Sequence, residues 1–386
     1  MRAPIPVFSI LAPHFKQRKK SKMSEDDFNE IPDITPIPNK EAIPSPEAAD
    51  PAPYYNSAPV MPDFEAERPR TDLTKVTTAV QMVKDELRKV IIGQEEFMDL
   101  LLTALFTNGH VLVEGVPGIA KTLTAKLTAQ TLDIDFSRIQ FTPDLMPSDV
   151  IGTTVFNMQT SDFTFNKGPV FSNVVLIDEI NRAPAKTQAA LFEVMEEYQV
   201  TTDGHTYELE QPFFVIATQN PIEQEGTYKL PEAQLDRFLF RINLEYPDLA
   251  EEKLILRRFR TDFRQDVTDS VKPVFNAEEI IEVRGIVEKV YIKDQLLDYI
   301  AEIIHNTRNN SDLYLGASPR AGLAIMKSSK AIAALNGRDF VTPDDIQYVT
   351  YHVLNHRIIL TPEREMEGVD AREVVADILK KIEVPR

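Results

Sequence analysis

The sequence has no cysteine, which excludes disulfide bonds, thiolate catalysis and cysteine-ligated zinc. Its six histidines do not show the spacing of metal ligands. A chain without cysteine suits a reducing compartment, so we expect a cytoplasmic protein. Long apolar runs are also lacking, since no stretch approaches the roughly 20 residues that a bilayer-spanning helix needs. The sequence therefore predicts no direct membrane insertion, although a partner could recruit the protein to a membrane.

Positive charge is scarce as well. The chain carries 42 Lys and Arg against 60 Asp and Glu, which gives a net charge of -18. Proteins that grip nucleic acid or anionic lipid need clustered basic residues. We therefore expect protein partners and no nucleic acid. The 386 residues, 43% of them hydrophobic, suffice for two or three domains with a sizeable core.

Residues 1–72 lack glycine and any helical or strand periodicity, yet they hold 13 of the 27 prolines. This composition predicts a disordered, Pro-rich, acidic tail. A solvated spacer is the favoured interpretation, and a partner-binding motif around Pro53-Tyr54-Tyr55 is the alternative. Because Met23 follows the basic stretch KQRKKSK and opens the very different MSEDDFNEIPD, we also hypothesise that translation begins there and that residues 1–22 are not translated.

From Leu73 onward, β-branched runs alternate with helical patterns, which predicts an α/β domain with a mainly parallel sheet over residues 73–247. The candidate strands are His110–Glu114, Asn173–Ile177, Phe213–Thr218 and Phe238–Ile242. Beyond Asp248 the strand patterns stop, and a small helical lid is expected over residues 248–386. Its predicted helices cover about 249–264, 277–289, 293–309, 319–335 and 343–355, with a cap signal at Thr342-Pro343-Asp344-Asp345.

The stretch EGVPGIAKTL follows the first candidate strand and resembles a phosphate-binding loop, with Ala120 where the pattern usually has a second glycine. A strand, a glycine-bearing turn and a helix N-terminus direct backbone N–H groups at one point, which is how a phosphate is held. Lys121 would contact the β- and γ-phosphates, and Thr122 would bind Mg²⁺. We expect right-handed dihedrals at Ala120 and left-handed ones at Gly118. The alternative is a structural turn with a solvent-exposed lysine.

A second signal lies in VVLIDEINRA, a buried strand that ends in two carboxylates. Adjacent acids at the carboxyl end of a parallel strand lie where α/β sheets bind ligands. Asp178 would hold Mg²⁺, and Glu179 would act as a general base toward water. The alternative is a helix cap after a core strand. Asn220 follows the run FFVIATQ, so it lies at the same predicted edge of the sheet, where it could orient the water.

Two arginines lie in short segments flanked by turns, Arg237 in LPEAQLDRFLF and Arg320 in GASPRAG. Spacing alone leaves ordinary salt bridges as an equal alternative for each. In order along the chain, the segments VIIGQ, EGVPGIAKT, TPDLMPSDVIG, KGPVF, LIDEINRA, ATQNPIEQEGTYKLPEAQLDRF, GASPRA and VLNHRI resemble the MoxR family of AAA+ ATPases. The resemblance runs from about Leu73 to the C-terminus. Asn355 departs from it, because a basic residue is more usual there, and the tail has no counterpart.

The resemblance implies an AAA+ P-loop core with a helical lid, ATP and Mg²⁺ as cofactors, and a homo-oligomeric ring, expected to be a hexamer. It implies Lys121 and Thr122 as Walker A, Asp178 and Glu179 as Walker B, and Asn220 as sensor 1. It also implies Arg237 as an arginine finger acting on the neighbouring subunit and Arg320 as sensor 2 acting in cis. The nucleotide-binding residues that it implies are Ile91, Ile92, Gly93, Gln94, Gly115, Val116, Pro117, Gly118, Ile119, Ala120, Lys121, Thr122 and Leu123.

Two further segments correspond to surface insertions of the family. Residues 149–167 match the helix-2 insert, and residues 201–207 match the hairpin before sensor 1; both are expected at the pore or substrate face of a ring. The family resembles chaperones for complexes with von Willebrand factor A domains, so such a protein is the implied client. Two rival interpretations remain: a nucleotide-dependent binding scaffold with little hydrolysis, and a DNA-directed AAA+ motor, which the acidic balance disfavours.

Overall fold

A five-stranded parallel sheet lies at the centre of the structure, which is a computed structural model. The structure describes residues 70–116, 118, 120–159, 161–220, 227–258, 260 and 270–385, all within one compact unit, Glu67–Arg386. The predicted tail lies outside the described residues except for positions 70–72, as does the hypothetical start at Met23. The predicted division between residues 73–247 and 248–386 stays a prediction.

Within the described part of the chain, the strands are β1 (His110–Gly115), β2 (Phe136–Gln140), β3 (Gly152–Asn157), β4 (Asp162–Lys167), β5 (Val174–Asp178), β6 (Gln199–Thr202), β7 (His205–Glu208), β8 (Phe214–Gln219), β9 (Phe238–Leu244), β10 (Leu313–Leu315) and β11 (Ile359–Leu360). The helices are α1 (Thr74–Arg88), α2 (Glu95–Phe106), α3 (Lys121–Thr131), α4 (Pro147–Ile151), α5 (Ala185–Glu197), α6 (Glu232–Leu235), α7 (Leu249–Arg258), α8 (Ala277–Glu288), α9 (Asp294–Arg308), α10 (Pro319–Leu335), α11 (Pro343–Leu354), α12 (Pro362–Met366) and α13 (Ala371–Lys381).

The sheet has the strand order β2-β5-β8-β1-β9, and all of its pairings are parallel. Strands β1 and β5 are buried along their whole length, which explains the apolar runs VLV of β1 and VVLI of β5. Successive side chains point to opposite faces, so Val111 and Val113 join one apolar core while Leu112 joins the other. All four predicted strands are confirmed, with ends displaced by two residues at most.

The lid is helical, and four of its predicted helices, α8 to α11, are confirmed to within a residue at each end. The cap signal is also confirmed, because Asp345 Oδ2 accepts hydrogen bonds from Thr342 N and Oγ1, both at 2.8 Å. Helix α7 begins at the predicted residue, and its predicted end lies outside the described residues. The expectation that strands stop after Asp248 is wrong, since β10 and β11 form an antiparallel pair in the lid. Two or three residues per strand are too few to show a period.

The lid and one face of the sheet share a single apolar core. This core includes Val111 and Val113 of β1 together with Ile300 and Ile332 of the lid helices α9 and α10. The opposite face of the sheet packs against α5 in a second core. Sheet and lid are therefore joined by apolar packing as well as by the chain. No helix in the described ranges is long and apolar enough to cross a bilayer.

The buried side chain of His110, at the start of β1, should make the stability of the folded protein depend on pH. Its Nδ1 accepts from Val215 N at 3.1 Å, so Nε2 carries the proton that faces Met195 O at 3.3 Å. Burial lowers the pKa of His110 from 6.5 to about 4. The unfolded chain therefore binds more protons between these values, and the stability contributed above pH 6.5 is lost as the pH falls toward 4. At pH 5 the loss should be about 2 kcal/mol.

We expect His110→Gln to remove this part of the pH dependence, since the amide does not titrate. The measurement is the difference in unfolding free energy between pH 7 and pH 5, from urea titrations of each variant. The matched control is His305→Gln, the same substitution at an exposed histidine of α9, which separates the loss of a buried imidazole from the loss of a surface one. An unchanged difference in His110→Gln would contradict the prediction.

Candidate active site

The predicted phosphate loop connects the end of β1 to the start of α3. Gly118 has a φ of +87°, and a Cβ added there would meet no atom within 4 Å, so this glycine is required for its dihedral rather than for space. Across the loop, Lys121 Nζ donates to Gly115 O at 2.7 Å. Burial lowers the pKa of Lys121, and three neighbouring carboxylates oppose that shift. The lysine thus lies at the acidic edge of the sheet rather than free in solvent.

Ala120 does not have the backbone conformation that we expected. It has φ 60° and ψ 21°, in the left-handed region, so the expectation of right-handed dihedrals is wrong. The chain reverses direction here, immediately before α3 begins at Lys121, and left-handed dihedrals make the reversal. An alanine in this region costs about 1–2 kcal/mol, which explains why such loops usually have glycine. Pro117 and Ile119 lie outside the described residues.

The two acids lie at the carboxyl end of β5, as predicted. Asp178 Oδ1 accepts from Thr218 Oγ1 at 3.2 Å, and its Oδ2 accepts from Arg138 Nε at 2.6 Å. Glu179 has a left-handed backbone with φ 59°, and its N–H donates to the same Thr218 hydroxyl at 3.1 Å. Thr218 therefore fixes the relative position of the two acids. The sequence predicted the strand that contains Thr218 but gave no role to its side chain.

The Glu179 side chain has two donors of its own. Gln140 Nε2 donates to Glu179 Oε2 at 2.9 Å, and Arg182 Nε lies 2.9 Å from the same oxygen. Gln140 is the last residue of β2 and pairs in register with Asp178. Arg138 and Gln140 were both missed from the sequence. Once β2 is placed beside β5, however, its register brings alternate residues to the acids.

A cavity of about 400 Å³ brings the predicted residues together. The residues that line it are Gly118, Ala120, Lys121, Thr122, Leu123, Arg138, Gln140, Asp178, Glu179, Thr218 and Asn220. Thr122 and Asp178 both line this cavity, and hydroxyl and carboxylate oxygens such as theirs are the hard ligands that Mg²⁺ prefers. These oxygen ligands and the phosphate loop beside them fit a nucleoside triphosphate bound with Mg²⁺.

The segment predicted to lie near adenine packs beside this loop rather than in the cavity. Gln94, which precedes α2, accepts at its Oε1 from Thr124 Oγ1 of α3 at 3.5 Å. Gly93 has φ +70°, and a Cβ there would collide with the Glu251 side chain of α7. Ile91 is buried in the core that sheet and lid share. The segment thus connects the phosphate-loop helix to the start of the lid.

The two predicted arginines do not line the cavity. Arg237 Nη2 lies 2.6 Å from Glu196 Oε2, and Arg320 Nη2 lies 3.3 Å from Glu196 Oε1. One carboxylate near the end of α5 therefore holds both guanidinium groups. The structure brings Arg237 and Arg320 together with each other and not with Lys121. Their predicted roles, finger in trans and sensor in cis, stay predictions.

A phosphate loop after one buried strand, paired acids after another, and a helical lid define a P-loop nucleotide-binding protein of the AAA+ class. Residues 110–240 match the ATPase family associated with various cellular activities (AAA), and residues 305–378 match the AAA lid domain. A crystal structure of a candidate ATPase from Cytophaga hutchinsonii is 45% identical, with a TM-score of 0.75, and covers 80% of this chain and 96% of that one.

Relatives identify the family within this class. The chaperone MoxR1 of Mycobacterium tuberculosis is 40% identical over 311 residues, which is 78% of this chain and 81% of MoxR1. YeaC of Bacillus subtilis is 46% identical over 78% of this chain and 93% of its own length. MoxR of Methylorubrum extorquens is 28% identical over 80% of this chain and 95% of its own. The chain belongs to the MoxR family of AAA+ ATPases.

The left-handed Ala120 and the neighbouring Lys121 give a paired prediction. Ala120→Gly relieves left-handed strain of about 1–2 kcal/mol but adds backbone entropy of about 0.5–1 kcal/mol to the unfolded loop. The two effects partly offset each other, so nucleotide affinity should change by less than about 1 kcal/mol. Lys121→Ala should lose most MgATP binding. Isothermal titration with a slowly hydrolysed ATP analogue measures both. Equal, small effects would contradict the phosphate-site assignment.

Proposed function

We propose that this protein is a Mg²⁺-dependent, ATP-hydrolysing ring ATPase that remodels or matures protein partners. The observation that carries the proposal is the cavity in which a phosphate loop, two acids and a terminal amide converge. Lys121 binds the β- and γ-phosphates, while Thr122 and Asp178 hold the metal ion. Glu179 acts as the general base, and Asn220 orients the attacking water.

Hydrolysis requires the Glu179 carboxylate to take a proton from water. Gln140 and Arg182 hold that carboxylate by one oxygen, Oε2, and therefore set its direction. Asp178 is fixed on both of its oxygens, by Thr218 and by Arg138. When bound, Mg²⁺ would neutralise charge that develops on the transferring phosphoryl group. The described side chains thus supply positioning and proton transfer, which are the main protein contributions to phosphoryl transfer.

The catalytic site is completed by a second subunit under this proposal. Arg237 does not line the cavity of its own subunit, and it lies on the half-exposed carboxylate of Glu196. An arginine supplied by a neighbour meets transition-state charge in a head-to-tail ring, and we propose a hexamer. The cis role proposed for Arg320 requires that side chain to leave Glu196 and approach its own nucleotide.

Two hairpins provide the surface for a client. Hairpin β3–β4 exposes Phe156, Phe163 and Met158, the last with 88% of its surface accessible. It contacts hairpin β6–β7 through the stacked rings of Phe165 and Tyr207, whose centroids are 4.3 Å apart. Exposed apolar groups of this size mark surfaces for protein contact. We propose a chaperone-like action in the cytoplasm on a protein with a von Willebrand factor A domain.

The rival functions lack this support. A scaffold with little hydrolysis has no need of a general base oriented by two donors, as Glu179 is. A DNA-directed motor needs a basic surface, and the chain has a net charge of -18. The name of MoxR1, a chaperone that covers 78% of this chain at 40% identity, also favours protein partners.

Mixed rings test the shared site. Arg237→Ala rings should be nearly inactive, because an arginine delivered in trans is worth about 10³ to 10⁵ in rate. Glu179→Gln rings should be nearly inactive because they lack the general base. After mixing one to one, about a quarter of sites pair an intact Glu179 with an intact Arg237 from the next subunit. Phosphate release should therefore reappear. Absence of activity at every ratio, although subunits exchange, would refute the trans role of Arg237.

Trapping tests the client class. Glu179→Gln should bind ATP without hydrolysing it and so retain its client, whereas Lys121→Ala, which cannot hold ATP, is the matched control. We expect a chain with a von Willebrand factor A domain to co-purify with Glu179→Gln in MgATP and to be absent from the control; mass spectrometry of both eluates measures this. Recovery of nucleic acid alone, with nucleic-acid-stimulated ATPase activity, would contradict the chaperone proposal.

A further inference from the structure

Arg357 of the VLNHRI motif is a buried arginine whose every N–H group has an acceptor. Its side chain is only 4% exposed. Nε donates to Asp236 Oδ1 at 2.6 Å, and Nη2 donates to Asp236 O at 3.0 Å and to Phe238 O at 2.7 Å. Nη1 donates to Leu239 O at 3.0 Å and to Val353 O at 2.7 Å. Four of the five bonds thus go to the residues that flank Arg237.

The two residues before Arg357 hold the same segment. His356 Nε2 lies 3.0 Å from Phe238 O, and Asn355 Nδ2 donates to Arg241 O at 2.8 Å. In the opposite direction, Arg241 Nη1 donates to Asn355 O at 3.4 Å. Three consecutive lid residues therefore bind the main chain of residues 236–241, which belongs to the core. Sequence comparison singled out this motif without giving it a role.

On its C-terminal side the segment that carries Arg237 is anchored in the core, because Phe238 is fully buried and pairs with His110 of β1. On its N-terminal side it has less support. Helix α6, which precedes it, has four residues and none of them is buried. The backbone N–H of Arg237 donates to Gln234 O within the same turn, at 3.2 Å. A single exposed turn of helix is unstable without outside contacts. The position of Arg237 therefore depends on β9 on one side and, on the other, on the lid contacts that hold Asp236.

A second contact connects the same segment to the helix that carries Arg320. Ser318 Oγ, just before α10, donates to Asp236 Oδ2 at 3.3 Å, so the Asp236 carboxylate receives both this hydroxyl and Arg357. Arg320 lies two residues further along and shares Glu196 with Arg237. The two arginines, their common carboxylate and the lid turn thus form one connected group.

We propose that Arg357 is the positioning residue for Arg237, so that the lid sets where this arginine is presented to the neighbouring subunit. The inference rests on the proposed action of Arg237 in trans. The Arg357 fork supplies five donors in a fixed plane, whereas lysine supplies three on a flexible stem and cannot satisfy the same set. A displacement of about 1 Å at a catalytic group can cost about 10²-fold in rate.

Arg357→Lys should lower kcat by about 10²-fold, while the affinity of each subunit for MgATP stays within about twofold, since the phosphate loop and acids are untouched. The matched control is Arg338→Lys. Arg338 is a lid arginine with a two-pronged contact to Asp345 inside the lid, so its replacement should leave kcat unchanged. Equal losses of kcat in both variants would overturn the proposal, because the effect would then be general to the lid.

Mixed rings separate positioning in trans from a structural defect. Arg357→Lys subunits keep Glu179, so mixing them with Glu179→Gln subunits should restore activity at about a quarter of sites. Mixing them with Arg237→Ala should restore none, because both variants lack a working arginine for the neighbour. The proposal would be overturned if Arg237→Ala subunits restored activity and Glu179→Gln subunits did not. It would also be overturned if both variants restored activity or if neither did.

The proposed function is checked separately by the Glu179→Gln and Arg237→Ala pair. If that pair fails to regain activity, the shared site itself is wrong. If it succeeds and Arg357→Lys behaves otherwise than stated, only the positioning role is wrong. Should Arg357→Lys fail to assemble, Asn355→Ala removes the side-chain bonds to Arg241 O and to His356 Nδ1 and should show the same mixing pattern with a smaller loss. Full activity in Asn355→Ala would then overturn the proposal.

Discussion

Apolar side chains of the sheet, such as Val111 and Val113, belong to the same core as Ile300 and Ile332 of the lid. Removing apolar area from water stabilises a contact by roughly 25 cal/mol per Å², so sheet and lid cannot part widely without a large loss of stability. Small rotations that keep the core closed are the movements that this packing permits. Every polar contact between sheet and lid, including those of Arg357, operates within that limit.

Glu196 adds an electrostatic constraint at the surface of the same unit. A single carboxylate faces two guanidinium groups, and that of Arg237 also lies over the Phe192 ring, 5.7 Å from its centroid. An exposed ion pair contributes little to stability, about 0–1 kcal/mol, because water competes for both partners. Glu196 therefore orients the arginines without binding them tightly, and a more negative group such as a phosphate can compete for them.

Much of the fold was predictable because buried parallel strands are continuously apolar. The sequence of β5, VVLID, is apolar up to its last residue, as a buried strand should be, and its end was predicted to within one residue. Strand β2 was not assigned, since only Ile139 of its five residues is buried and its sequence shows no clear pattern. The short β10 and β11 escaped notice because pairing with each other, rather than any local periodicity, makes them strands.

The site was predictable where chemistry follows chain order and unpredictable where it depends on register or dihedrals. Asp178 ends one recognisable strand and Lys121 follows another through the phosphate loop, so their convergence followed from parallel topology. Arg138 and Gln140 reach the acids only through the pairing of β2 with β5. The left-handed Ala120 was mistaken for a right-handed residue because the direction of the loop, not the residue type, decides its dihedrals.

The hairpin β3–β4 contributes little to either core, for most of its side chains are exposed and Phe165 is half-buried against Tyr207. Substitutions at such exposed positions usually change stability by less than about 0.5 kcal/mol. Changes in the hairpin surface therefore need not disturb the cavity at the phosphate loop, which is built on buried strands. If the hairpin is the client surface that we propose, selection for a new partner can act on these exposed positions alone and leave the buried strands unchanged.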